Sequence, residues 1–355
     1  MTSACDHPSQ SGKRLFVAMS GGVDSSVAAA LMVRAGHDVT GITMELLTGT
    51  DDGQGAVASA AHVCDILGIP HHVVDCREVF EQAIVGPFAR LYASGHTPNP
   101  CVTCNDLIKF GALFEYACEH GADTVATGHY ARLVRDGDRT WLERGADPTK
   151  DQSYFLYRLN DPVIDRIVFP LGDHTKTRIR HLAEEFGLPN SARRDSQDVC
   201  FLGGDGHTRL VASRHPDSAR PGEVVDVHGL VLGRHRGLVN YTIGQRKGLG
   251  IASSGPLYVI GLEPQTNRVV VGSASDMPHG DIIADDVVWR LDRTDLRVTI
   301  QTRYRMEPMP ADACVEGDEL VIRPLEPVGA VAPGQAVVCY SGDRVIGGGT
   351  IRCVR

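Results

Sequence analysis

The sequence predicts an α/β protein: an N-terminal doubly wound parallel sheet, then two small β-rich domains, the last a β-barrel. Three observations carry this. Apolar strand-like stretches alternate with helical ones from Leu15 to about Gly187, the pattern of a parallel sheet covered on both faces. The first strand runs through a small-residue turn straight into a helix. Beyond about residue 210, short segments such as Arg268-Val-Val-Val-Gly272 and Glu319-Leu-Val-Ile322 recur between Gly, Pro and Asp turns, an all-β texture. At 355 residues the chain is too long for one ordinary domain, and the expected divisions are 1–210, 211–278 and 279–355.

Leu15 to Met19 is apolar without a break and reads as a strand buried on both faces. Ser20-Gly21-Gly22 then makes a turn that only small residues allow, because a backbone must come close to something. From Ser25 to Gly36 the pattern is helical, with hydroxyls capping its start and the glycine marking its end. Strand, glycine turn and helix start together make an anion site, where amide N–H groups and the helix dipole converge. It is not a Walker A loop, which needs a Gly-Lys-Ser/Thr ending; here that lysine is missing. Glycines alone would indicate an ordinary βα turn. The flanking hydroxyls and Asp24 favour a nucleotide, with Asp24 helping to hold magnesium.

Asp38 to Met44 reads as a second strand, Thr48 to Gly55 as a loop, Ala56 to Gly68 as a helix and His71 to Asp75 as a third strand. A helical segment covers roughly 77–94. In such sheets ligands lie beyond the carboxyl ends of the strands, where Ser20 to Asp24 and Met44 fall. Thr97 to Asn105 is a loop stiffened by Pro98 and Pro100, followed by a helix from about Asp106 to His120. It carries Cys101 and Cys104, and a helix start beside Cys104 favours its thiolate. A Cys-x-x-Cys pair can be a redox couple, half of a zinc site or part of an iron–sulfur site. No second such pair occurs, and no Cys or His has regular zinc spacing to it, which argues against a closed zinc site.

Thr124 to Gly128 reads as a further strand ending in a glycine turn, with His129 beyond it. A hairpin turns at Asp136-Gly137-Asp138. Lys150-Asp151-Gln152 is the exposed start of a short helix, and Thr175 to Gly187 is an amphipathic helix. Arg193 to Gly203 reads as a loop carrying Cys200.

Hydrophobic residues make up 42% of the chain, yet no apolar run approaches the roughly 18–20 residues of a membrane span. Met1 to Gly12 is polar and shows no signal-peptide core, so a cytoplasmic protein with reduced thiols is expected. Of the ten cysteines, Cys64, Cys76, Cys118, Cys314, Cys339 and Cys353 read as packing residues. A formal charge of −9 excludes a uniformly basic nucleic-acid binder but not local basic patches.

Seven motifs then occur in order: Ser20-Gly-Gly-Val-Asp-Ser-Ser26, Thr97-Pro-Asn-Pro-Cys-Val-Thr-Cys-Asn105 with Ile108-Lys-Phe110, Ala126-Thr-Gly-His-Tyr-Ala-Arg132, Lys150-Asp-Gln-Ser-Tyr-Phe-Leu156, Asp195 to Gly203, Tyr241 to Ile251, and Thr302-Arg-Tyr-Arg305. The first resembles the pyrophosphate loop of the ATP pyrophosphatases. The whole set, from Leu15 to Gly349, resembles the bacterial tRNA-specific 2-thiouridylases, tRNA-uridine 2-sulfurtransferases with an adenine nucleotide alpha hydrolase-like domain. The resemblance implies ATP-dependent sulfur transfer to C2 of the wobble uridine in tRNAs for Lys, Glu and Gln, with ATP and Mg2+ as cofactors. It implies that Ala18, Met19, Ser20, Gly21, Gly22, Val23, Asp24 and Ser25 hold the phosphates, with Met44 and Gly128 bordering the nucleotide.

Under the same resemblance, Cys200 carries a persulfide from a sulfur donor, such as a cysteine desulfurase or relay protein, and Cys104 is the second catalytic thiol. The two end as a disulfide. Asn99, Pro100 and Cys101 line the flipped base. His129, Lys150, Asp151, Gln152, Arg303, Tyr304 and Gln335 contact tRNA. Some family members have aspartate at the position of Cys101; its presence here leaves open an iron–sulfur cluster on Cys101, Cys104 and Cys200. Two other readings stay open: a different ATP-pyrophosphatase synthetase, which gives Cys104 and Cys200 no role, and a non-enzymatic RNA-binding or redox module.

Overall fold

The computed structural model describes residues 12–47, 51–191, 199–202, 206–253 and 255–355, with the side chains of 51–54 left out. Expectations for the N-terminal tail, for 48–50 and for most of the 193–203 loop, including Arg193, Arg194 and Asp195, lie outside the described residues. The chain forms two compact units, one of residues 1–81 and 104–197, the other of 82–103 and 198–355.

In the first unit, β1 (Arg14–Ala18), α1 (Val23–Arg34), β2 (Asp38–Glu45), α2 (Asp51–Leu67) and β3 (His71–Asp75) follow one another, and β4 (Thr124–Thr127) completes the central strands. Hairpin strands β5 (Ala131–Asp136) and β6 (Arg139–Arg144) come next, then the two-residue β7 (Ile167–Val168). The parallel sheet has the order β3-β2-β1-β4-β7. Strand order therefore reverses between β1 and β4, the switch point where such sheets open a crevice. Its core joins Leu15 and Val17 of β1, and Met19 just after it, to Val27, Ala28 and Ala29 of α1 and to Ile179 and Leu182 of helix Lys176–Glu185.

Two boundaries depart from the sequence reading. Helix α2 starts at Asp51, inside the expected loop. The expected 97–105 loop ends early, because Pro100–Thr103 is already helical and Pro100 is preorganised for a first helical position. Cys101 is thus in that turn, and Cys104 opens a wide π-type segment, Cys104–Ala112, followed by helix Leu113–Glu119. Segments of this kind recur at functional sites.

The second unit holds the β-rich part. β8 (Gly222–Val225), β9 (Val231–His235), β10 (Tyr258–Glu263) and β11 (Arg268–Gly272) form a sheet of order β10-β11-β8-β9. β12 (Ile282–Trp289), β13 (Asp295–Gln301), β14 (Met309–Glu316), β15 (Glu319–Pro324), β16 (Ala336–Ser341) and β17 (Arg344–Val354) pair antiparallel, and β12–β17 pairing closes them into a barrel. Ile300, Ala311, Leu320, Ile322, Val337 and Cys339 fill its interior. Cys64, Cys76 and Cys339 are buried as expected and burial raises each thiol's pKa, that of Cys64 to about 11; Cys118, Cys314 and Cys353 are half-buried. No described helix is long and apolar enough to cross a membrane.

Candidate functional site

The loop after β1 sits at the switch point. Gly21 has φ +69°, and a Cβ there would lie 2.7 Å from the Ala56 carbonyl, so only glycine fits. The serines do not cap α1. Ser25 Oγ and Ser26 Oγ donate back to the Gly22 carbonyl at 3.1 and 2.9 Å, while Ser20 N donates to Ser25 Oγ at 3.1 Å. Among the described residues the helix start therefore carries no side-chain cap, which leaves its first amides for an anion. Opposite, at the end of β4, a Cβ on Gly128 would lie 2.8 Å from Ser25 N. The missing side chain keeps that amide's surroundings open. Met44 lies near the end of β2, beside β1.

The loop's own sequence holds no lysine; the fold supplies one. Lys176, 8% exposed at the start of helix Lys176–Glu185, donates to Asp24 Oδ1 at 2.7 Å and Oδ2 at 2.9 Å. Tyr130 OH donates to Asp24 Oδ1 at 2.7 Å. The amide of Lys176 is fixed by Asp147 Oδ2 at 2.9 Å. A cation in a helix's first turn opposes the dipole, and that misplacement was the signal available in the sequence. These groups suit a nucleotide: amides and an ammonium for phosphate oxygens, and a carboxylate for the accompanying Mg2+.

His129 and Asp151 were expected to contact tRNA, and Asp151 to lie at an exposed helix start. Both are buried. Asp151 accepts from the amides of Gly145 and Ser153, from Ser153 Oγ and from Arg144, so in this state its carboxylate is spent on holding its own turn. Gln152 Oε1 accepts from Tyr130 N at 3.0 Å, and Lys150 is half-buried. His129 Nε2 lies 3.4 Å from Lys109 Nζ, and its Nδ1 2.7 Å from Thr127 Oγ1. An ammonium can only donate, so Nε2 accepts and Nδ1 carries the proton toward Thr127. Burial, then the charge of Lys109, hold the ring's pKa well below its ordinary value of 6.5. The unfolded chain takes up a proton below that value and the folded chain does not, so stability falls as pH drops. Denaturant titrations from pH 7 to 5 should show wild type losing stability more steeply than His129→Gln, by up to about 1.4 kcal/mol per pH unit. Equal slopes would contradict the buried neutral ring.

Cys104 is half-buried, and the residues after it anchor its segment. Asn105 Nδ2 donates to the Phe155 carbonyl at 3.1 Å, Asp106 faces Arg158 at 3.5 Å, and Ile108 and Phe110 are buried. In the second unit, Thr97 N donates to the Pro333 carbonyl and Gln335 Nε2 to the Thr97 carbonyl, at 2.8 and 2.9 Å. Gln335, expected at the tRNA, thus braces the loop bearing the half-buried Asn99, Pro100 and Cys101. Cys200 is exposed; its neighbour Phe201 packs edge-on against Phe88, in a cluster with Ala89, Val211 and Val239. Arg303 is exposed, and Tyr304 lies under the Arg305 guanidinium, 5.3 Å from it. The first unit thus brings Gly128 against Asp24 and Ser25 at the switch point, while in the second Gln335 holds Thr97, two residues before Asn99.

Family models match nearly the whole chain in succession: the tRNA methyl transferase HUP domain at residues 13–204, the tRNA methyl transferase PRC-barrel domain at 211–273 and the aminomethyltransferase beta-barrel domain at 279–351. The tRNA-specific 2-thiouridylase MnmA of Carboxydothermus hydrogenoformans is 42% identical over 96% of this chain and 97% of its own. Those of Paramagnetospirillum magneticum and a Synechococcus strain are each 45% identical, over 96% of this chain and 96% and 97% of theirs. With end-to-end matches at this identity, the chain belongs to the tRNA-specific 2-thiouridylase family.

Proposed function

We propose that this protein is a tRNA-uridine 2-sulfurtransferase that adenylates the C2 oxygen of the wobble uridine in tRNAs for Lys, Glu and Gln and replaces that oxygen with sulfur. The observation that carries the reading is the uncapped start of α1 at the β1/β4 switch point, with Lys176 held on Asp24 beside it. The C2 oxygen attacks the α-phosphorus of ATP, the bond to the β-phosphate breaks and pyrophosphate leaves. Amides from Ser20 to Ser25, with Lys176, stabilise the charge that develops on the leaving group. Asp24 would be the carboxylate to hold Mg2+, which would supply charge neutralisation at the phosphates.

Cys200 receives the sulfur as a persulfide, its exposure suiting it to a donor protein. Cys104 thiolate attacks the Cys200 sulfur, a Cys104–Cys200 disulfide forms and hydrosulfide is released. Hydrosulfide adds at C2, AMP departs with the former C2 oxygen, and an external dithiol reduces the disulfide. Alternatively the persulfide attacks C2 directly. Asn99, Pro100 and Cys101 border the extruded base; Arg303, Tyr304 and Lys150 face tRNA; His129, Asp151, Gln152 and Gln335 act by positioning. The working division is a catalytic domain to about 210, a central β domain to 278 and a barrel from 279.

A second reading has Cys101, Cys104 and Cys200 ligating an iron–sulfur cluster; the observation behind it is a third cysteine, Cys101, three residues before Cys104. Anaerobic thiolation of uridine-34 in a transcript tRNA, with ATP and a persulfide source, separates the two readings. The persulfide reading predicts 2-thiouridine, AMP and pyrophosphate from metal-free protein. Thiolation only after cluster reconstitution would transfer the cysteines to the cluster, and no thiolation from either would overturn the function.

A further inference from the structure

The geometry points to Asn190 as a positioning residue for the phosphate loop: by gripping the Gly21 carbonyl from behind, it aims the Gly22 amide at the phosphates. This rests on the ATP reading above and adds to it a side chain outside every motif named for the loop.

Asn190 follows helix Lys176–Glu185 at the end of Gly187-Leu-Pro and is 8% exposed. Its Nδ2 donates to the Gly21 carbonyl at 3.1 Å and to Ser26 Oγ at 2.8 Å. Ser59 Oγ, from α2, donates to the same carbonyl at 3.0 Å. The orientation of the amide is dictated by its partners. A carbonyl only accepts, and Ser26 Oγ spends its own proton on the Gly22 carbonyl, so both need the NH2 group. Among the described residues the amide oxygen is then left buried with no hydrogen-bond partner, an uncommon arrangement that the other half of the group must repay.

What the grip controls follows from the peptide plane. The C=O of Gly21 and the N–H of Gly22 belong to one planar trans unit and point in opposite directions. Two donors on the oxygen therefore fix the N–H toward the opposite side, away from Asn190 and Ser59. Glycine on both sides makes this peptide cheap to flip, since Gly21 already sits at φ +69°. A flipped peptide would present an oxygen, not an N–H, to the phosphates. Asn190 and Ser59 hold it against that.

The test compares wild type with Asn190→Asp, which sets an acceptor against the Gly21 oxygen, and with Ser59→Ala, a milder loss that keeps the test open if the first variant folds poorly. Calorimetry measures binding of inorganic pyrophosphate, MgATP and adenosine to each full-length protein, and thermal unfolding is followed alongside. Pyrophosphate and MgATP affinity should fall together, about tenfold or more in Asn190→Asp and about threefold in Ser59→Ala, while adenosine affinity stays within twofold. Equal losses for adenosine and pyrophosphate would mean a general structural role and overturn the inference, as would unchanged pyrophosphate affinity in both variants. Failure of wild type itself to bind MgATP or pyrophosphate would instead remove the ATP reading, and this inference with it.

Discussion

A Cys200→Ser protein should form 2-thiouridine at least about a thousandfold more slowly than wild type, yet still release pyrophosphate when given ATP and tRNA. A hydroxyl cannot store sulfane sulfur, so the sulfur branch fails at its first step. The adenylation branch depends on a different set of groups, the loop after β1 and Lys176, and should be untouched. Cys104→Ser should block product equally but leave Cys200 able to accept sulfur from a donor. Radiolabelled sulfur retained on the Cys104→Ser protein, and absent from Cys200→Ser, would assign the two roles. Normal thiolation by either variant would contradict the assignment of that thiol.

Lys176→Met should slow pyrophosphate release by about 10²–10³-fold, the usual cost of removing one preorganised charge from a developing anion. Its other contact is no obstacle to the variant. Asp24 retains the Tyr130 hydroxyl and is about one-third exposed, so its carboxylate rehydrates rather than being stranded. tRNA affinity should hold, because the change lies on the nucleotide side. A variant with full adenylation activity would reduce the Lys176–Asp24 pair to a structural ion pair.

The loop after β1 was legible because its chemistry is local: five apolar residues, two glycines, three serines and an aspartate sit within a dozen positions. The β-rich half was legible for a similar reason, since short strands and turn residues announce themselves one at a time. Lys176 and Asn190 lie more than 150 residues from the groups they bind, at sequence separations of 152 and 169, and only the folded chain brings them there. β7 is two residues long, too short for any periodicity to register. The burial of Asp151 is not legible in sequence because a charged residue at a helix start is ordinarily solvated; here four donors converge on it and repay its burial. Pro100 reads in sequence as a loop residue, though proline serves equally well as the first residue of a helix.

The central claim is that ATP activates the C2 oxygen of the tRNA, and an oxygen label follows it most directly. A transcript carrying 18O at C2 of uridine-34 would be thiolated with unlabelled ATP, and the AMP analysed by mass spectrometry. The mechanism predicts one 18O in AMP for each 2-thiouridine formed. Label left in the tRNA or lost to water, with unlabelled AMP, would contradict it.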